Sequence, residues 1–195
     1  SGKFVKLVND VPLNEVQPKG FMATRSGKRS MRWRDDKAAT IVWVEALDKG
    51  DPEKKVAYRD ALYELDAPFN EKGHLLMKTK NRFNGIDWGT KNVAIAYDYW
   101  WNDRNTKAYL FDPSDNSKEA KIITDRNYQD SYHDPGNFVT HKNEFGREVL
   151  EIDKNKLFLI GDGYTDKGQF PFIDAFSLET LETSRIYFGA NRISK

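Results

Sequence analysis

Side chains able to do chemistry occur in this sequence in groupings that fall short of a reactive centre. A serine nucleophile on an α/β-hydrolase sheet needs a G-x-S-x-G turn, whose glycines let the chain double back and expose the hydroxyl. None of the serines stands in that string, and none of the three histidines, His74, His133 and His141, has a recognisable nucleophile context. Ser131 close to His133 reads as a loop hydroxyl beside a surface imidazole, because triads assemble across a fold. His133 and His141 are eight apart with no H-E-x-x-H, and a satisfied structural histidine is the default. Asp112, Asp115 and Glu119 have carboxylates for a calcium loop but lack the twelve-residue pattern with its central glycine and terminal glutamate. Gly161-Asp162-Gly163-Tyr164-Thr165-Asp166 opens like a dinucleotide fingerprint, lacks the third glycine and a βαβ setting, and reads as a hairpin turn. Cysteine is absent, which removes thiol catalysis and disulfides. The expectation is a chain with no catalytic, cofactor-binding or metal-binding residue.

Arginines are the remaining candidates. Arg25, Lys28, Arg29, Arg32 and Arg34 form the densest basic run, and at strand spacing several share a face. Asp35 and Asp36 follow at once, so an ion-paired or solvated lead-in strand is the plainer reading. The sharper one is that one of these, or Arg82, Arg104 or Arg126, receives an acidic side chain through paired hydrogen bonds; nothing in the sequence selects which, and the substrate-binding residue stays unassigned. With 31 Lys and Arg against 30 Asp and Glu, a net charge of +1 supplies no field to gather nucleic acid or an acidic membrane surface. No apolar run approaches the roughly 20 residues that cross a bilayer, and Ser1-Gly2-Lys3 does not open a signal peptide. The compartment stays open, with a periplasmic or secreted setting favoured for a bacterial parent.

What must position these groups is a series of short strands. Aromatic residues make up 13% of the chain and fall in β-branched runs, which suit a pleated, half-buried surface. The clearest strands are 40–47 (TIVWVEAL), 92–100 (NVAIAYDYW), 107–111, 156–160 and 172–178, separated by turn chemistry at 48–52, 102–105, 112–116 and Asp162-Gly163. Trp100-Trp101, directly before a turn, reads as packing between units or as an edge that meets another domain. One segment argues otherwise, since Asp51-Pro52-Glu53 before VAYRDALYEL reads locally as an N-capped helix. Register breaks the tie. First strands beginning near Ile41, Val93 and Leu157, seconds centred near Ala57, Ala108 and Ile173, and thirds near Met77, Ile122 and Ile186 recur in steps of 45 to 65 residues. Trp33, Trp88 and Ile152 open the units as innermost strands or lead-ins. Such a step, with three or four short antiparallel strands in each, predicts propeller blades. The expected fold is all-β, a partial β-propeller of three to four blades of the peptidase or TolB-like kind, at about 29–81, 82–126 and 138–190, with 1–25 as the edge of a preceding blade.

The string from Arg29 to Asp48 (RSMRWRDDKAATIVWVEALD) resembles the propeller of glutamyl endopeptidase-like members of the prolyl oligopeptidase family. The resemblance continues through Arg59-Asp60, 79–88 (TKNRFNGIDW), Asp125-Arg126, 129–136 (QDSYHDPG) and 168–174, covering roughly Phe21 to the C-terminus; 127–129 and Gln169-Phe170 depart from the usual residues. It implies a serine peptidase whose propeller covers an α/β-hydrolase domain, C-terminal in the parent chain and absent from these residues. The implied role is to gate and orient peptide substrates, with no cofactor, no nucleic acid and no membrane as partner. The alternative is a stand-alone TolB-like propeller acting as a protein-binding module. Three blades do not close a ring, so exposed blade edges are expected to favour a homodimer.

Overall fold

Residues 2–190, apart from 12, 14 and 16, are described by the computed structural model of the chain. Among the described residues, seventeen strands are formed. The first sheet runs β1 (Lys28–Trp33), β2 (Thr40–Ala46), β3 (Asp60–Asp66) and β4 (His74–Thr79) in consecutive antiparallel order. The second repeats the plan with β5 (Arg82–Thr90), β6 (Val93–Trp100), β7 (Asn105–Phe111) and β8 (Lys121–Asn127). In the third, β12 (Ile152–Asp153), β13 (Lys156–Gly161), β16 (Phe172–Ser177) and β17 (Thr183–Phe188) follow one another, and β9 (Asn137–Phe138) pairs with the same edge of β13 as β12 does. Between β9 and β12 the chain makes a hairpin of β10 (Thr140–Lys142) and β11 (Glu148–Leu150). A smaller hairpin, β14 (Tyr164–Thr165) with β15 (Gly168–Gln169), joins β13 to β16. The fold is all-β, propeller-like and not closed.

Alternation along the strands explains how the sheets stack, since successive side chains point to opposite faces. Val42, Val44, Leu62, Leu76 and Met77 of the first sheet meet Ile86, Trp88, Ala94, Ala96, Tyr109 and Phe111 of the second in one buried core. The other face of the second sheet, through Ile95 and Ala108, meets Leu157, Leu159 and Phe176 of the third, with Leu150 of the hairpin. The far side of the third sheet has no such cover: Ile160 is 53% exposed, and Ile186, Tyr187 and Phe188 are each 57% exposed.

Two sequence expectations move. The second strand of the first unit is β3, Asp60–Asp66, and not a strand centred near Ala57; residues 52–59 are loop. The helical signal around Asp51-Pro52 loses because β3 pairs with β2 over seven residues, from Asp60 opposite Ala46 to Asp66 opposite Thr40. Tertiary pairing overrides local propensity there. The expected blade edge at 1–25 lies partly outside the described residues. Those described in it form no strand; they run beside the first sheet, with Lys6 donating to the Glu71 carbonyl, Lys28 to that of Val8 and Asn9 to that of Lys28.

Burial fixes the expected energetics. Leu157 is fully buried whereas Ile186 is mostly exposed. Leu157→Ala should cost about 2–5 kcal/mol in chemical denaturation and Ile186→Ala under about 1 kcal/mol; equal losses would contradict this layering.

Candidate functional site

The first inter-sheet contact ends in a buried ionic clamp. Asp48 sits in the β2–β3 turn, where Gly50 takes φ +80° and a Cβ there would lie 1.8 Å from the Thr24 carbonyl oxygen; only glycine fits such a turn. Arg82, first residue of β5, reaches across from the second sheet. Its Nη2 and Nη1 donate to Asp48 Oδ2 and Oδ1 at 2.7 and 2.9 Å, and Nη1 also to Asp60 Oδ1 at 3.2 Å. Arg59 Nη1 donates to Asp48 Oδ2 at 2.9 Å, Arg29 pairs with Asp60, and the Phe83 amide donates to Asp60 Oδ2 at 2.7 Å. Burial pushes the Asp48 carboxyl up, but the hydrogen bonds from Arg82 and Arg59 outweigh it and hold the group below the usual carboxylate range. For Asp60, burial prevails over Arg29 and Arg82 and its pKa is raised.

These contacts assign most of the candidate arginines to the fold. Arg29 and Arg82 are in the clamp. Arg34 is buried, donates twice to Asp36 at 2.9 and 2.6 Å, pairs with Glu64, and lies 4.1 Å over the Trp88 ring. Arg104 stacks 3.8 Å from Trp101, and Arg59 3.9 Å from Trp100; Phe21 stacks on Trp101 at 4.6 Å. The Trp100-Trp101 pair thus joins the second sheet to Arg59 of the first and to the N-terminal segment. His133 Nδ1 lies 2.7 Å from Asp130 Oδ2 on an exposed turn, and no hydrogen bond links it to Ser131 among the described residues. Lys118 places its ammonium 3.0 Å from Asp112 and 3.3 Å from Asp115, where a calcium ion would have to sit. No group of three or more His, Asp or Glu side chains able to hold a metal occurs among the described residues. Gly163, at φ +64°, lies at the base of the β14–β15 hairpin, where Phe170 donates its amide to the Gly163 carbonyl; the turn itself falls at Asp166-Lys167, at the far end of the 161–166 string and not at Asp162-Gly163.

At the second inter-sheet contact the corresponding end is open. A cleft of about 440 Å³ lies between the far face of β5–β8 and the segment Asp134–Phe138. Asp87 enters it because its neighbours Ile86 and Trp88 face the first sheet. The Tyr97 hydroxyl donates to Asp87 Oδ2 at 2.7 Å, and burial, with the Asp87 charge beside it, pushes the phenol far above its ordinary pKa. Lys107 Nζ is held by Asn105 Oδ1 at 2.5 Å and Asp125 Oδ1 at 2.7 Å. Arg126 donates to the carbonyls of Asn127 and Asp130, both at 3.0 Å, and to Asp134 Oδ2 at 2.7 Å. Of the cleft residues the sequence reading singled out only Arg126; Asp87, Tyr97 and Lys107 were missed. The available signal was Ile86-Asp87-Trp88, where a carboxylate between two core residues of one strand must face the opposite side.

No protein-family model matches the chain. It is 34% identical over 193 residues to a probable chloroplastic glutamyl endopeptidase of rice (Oryza sativa subsp. japonica), an alignment covering 95% of this chain and 21% of the rice protein. A probable chloroplastic glutamyl endopeptidase of Arabidopsis thaliana is 34% identical over 194 residues, covering 95% of this chain and 20% of its own. The chain spans about a fifth of the length of these curated relatives.

Arg82→Ala strands buried carboxylates and should cost about 3–5 kcal/mol in denaturant unfolding, whereas Lys118→Ala, which removes an exposed pair, should leave the denaturation midpoint nearly unchanged. Because the folded pKa of Asp48 is depressed, its contribution is present above the unfolded value near 4 and lost as pH falls below it. Asp48→Asn should therefore lower stability at neutral pH and flatten its loss below about pH 4; an unchanged acid limb would assign that limb to other groups.

Proposed function

We propose that this chain is a non-catalytic propeller segment of a longer serine peptidase of the prolyl oligopeptidase type, with the three sheets as successive blades. The observation that carries the reading is the extent of the similarity: nearly the whole of the three-sheet chain aligns with only a fifth of each glutamyl endopeptidase relative. The sequence holds no G-x-S-x-G string, and among the described residues no hydroxyl joins an imidazole–carboxylate pair, so acyl transfer falls to a part of the protein outside these residues.

In that setting the segment gates. Sheets packed face to face around an axis form a wall that admits a slender or unfolded peptide, and side chains on the innermost strands orient it, while a hydrolase domain supplies nucleophile and oxyanion stabilisation. The clamp of Arg82 on Asp48 and Asp60 serves this role indirectly, by fixing the angle between the first two sheets. The hydrolase domain is the segment's partner in the same polypeptide, and peptides are its ligands.

The chain alone should not turn over a peptide carrying an acidic residue. The longer protein should cleave that peptide while sparing a folded protein with the same site in its interior. Turnover by the 195-residue chain that a serine-directed inhibitor abolishes would refute the non-catalytic assignment, and equal cleavage of both substrates by the longer protein would remove the gating role.

A further inference from the structure

The two inter-sheet contacts solve one packing problem differently. Where β2 turns into β3, the gap is filled by a guanidinium from the neighbouring sheet, Arg82 lying on Asp48 and Asp60. Along the second sheet's other face, beside Tyr97 of β6 and Thr106–Ala108 of β7, the facing segment is Asp134–Phe138, which brings no cationic side chain, and about 440 Å³ stays open. That volume is in the range of small-ligand sites.

Charge selects the occupant. The cations on the cleft wall are already engaged, Lys107 by Asn105 and Asp125, Arg126 by two carbonyls and Asp134. Asp87 is not: its hydrogen bond is from the Tyr97 hydroxyl, and no Lys, Arg or His nitrogen lies within 4.0 Å of it among the described residues. A carboxylate has about four acceptor positions, so most of its capacity is free. Leu159 adds apolar lining to the cleft, and Phe138 with Tyr97 offers ring surface beside Asp87.

We propose that this cleft binds an arginine side chain presented by a peptide, its guanidinium on Asp87 and its stem along Tyr97 and Phe138. Arginine fits better than lysine because a planar fork pairs with a carboxylate and stacks on an aromatic face at once. The chain already uses that combination internally, with Arg34 over Trp88, Arg59 over Trp100 and Arg185 over Phe172 at 4.1, 3.9 and 4.0 Å. Tyr97 is a positioning residue, fixing the Asp87 carboxylate by its hydroxyl. The site lies wholly between two sheets of this chain, so it stands whether or not a hydrolase domain is attached.

The test is an NMR titration of the labelled chain with N-acetyl-arginine amide, its neutral isostere N-acetyl-citrulline amide, and N-acetyl-glutamate amide. The arginine compound should shift the amides of Asp87, Tyr97 and Phe138, and the other two should leave them in place. Asp87→Asn should weaken arginine binding at least tenfold with the rest of the spectrum unchanged. If that variant fails to fold, the arginine–citrulline comparison on the unaltered chain decides. Binding of citrulline as tight as arginine, binding unaffected by Asp87→Asn, or shifts confined to another surface would overturn the proposal. The same titration of the longer protein assigns the source: retained binding means the arginine arrives from another molecule, and lost binding means the longer chain seats its own.

Discussion

The second sheet is buried on both faces, and the rest of the molecule is arranged around that constraint. Trp88 of β5 is fully buried, as are Ala94, Ile95 and Ala96 in succession on β6, an apolar run that the alternation of an ordinary half-exposed strand would not allow. The two alanines keep the face toward the first sheet shallow, which lets the Trp88 indole lie between the sheets with Arg34 over it. Sheets so stacked admit a charge along their strands only with partners: Glu64 on β3 meets Arg34, and Asp98 on β6 accepts from the Asn81 amide and the Tyr109 hydroxyl.

The two inter-sheet contacts hold the functional content. At one contact, two carboxylates from the first sheet meet a guanidinium from the second, and breaking such a buried group is costly because the partners left behind cannot be solvated. At the other, lysine and arginine are drawn sideways onto acceptors of their own sheet and loop, and one carboxylate is left facing open space. A rigid joint and a receptive one thus sit on opposite faces of the same four strands. In a propeller-like wall, that asymmetry separates what fixes the shape from what is free to recognise a ligand.

Much of the architecture was legible before any coordinates. The runs TIVWVEAL and NVAIAYDYW are β2 and β6 within a residue or two, because β-branched and aromatic residues bounded by Asp, Gly, Asn and Pro carry both the strand and its ends. The pairing of Arg34 with Asp36 matches the acidic residues beside it, whereas Arg29 finds its carboxylate at Asp60 on β3, which its neighbours do not announce. The site was far less legible. Asp87 lies in a string noted only for its resemblance, and its importance depends on what the third sheet fails to supply, which no local pattern encodes. The second strand of the first unit is placed too early by the sequence, near Ala57, for a related reason: the repeat fixes only an approximate step, whereas the pairing that decides the strand comes from β2 and β4.

The hairpin between β9 and β12 splits the innermost strand of the third sheet. Glu151 donates its amide to the Val139 carbonyl and so closes the interruption at its base. At its tip, Asn143 donates to the Asp35 carbonyl, and Arg147 to those of Arg34 and Lys37, across sequence separations of 108 to 113 residues. Contacts that distant are slow to form. During synthesis at about 5–20 residues per second, the turn after β1 would wait on the order of ten seconds for its partner to leave the ribosome. Until then the first two sheets rely on their own core and the Arg82 clamp, and the hairpin serves as the later fastening that ties the first of the three sheets to the third.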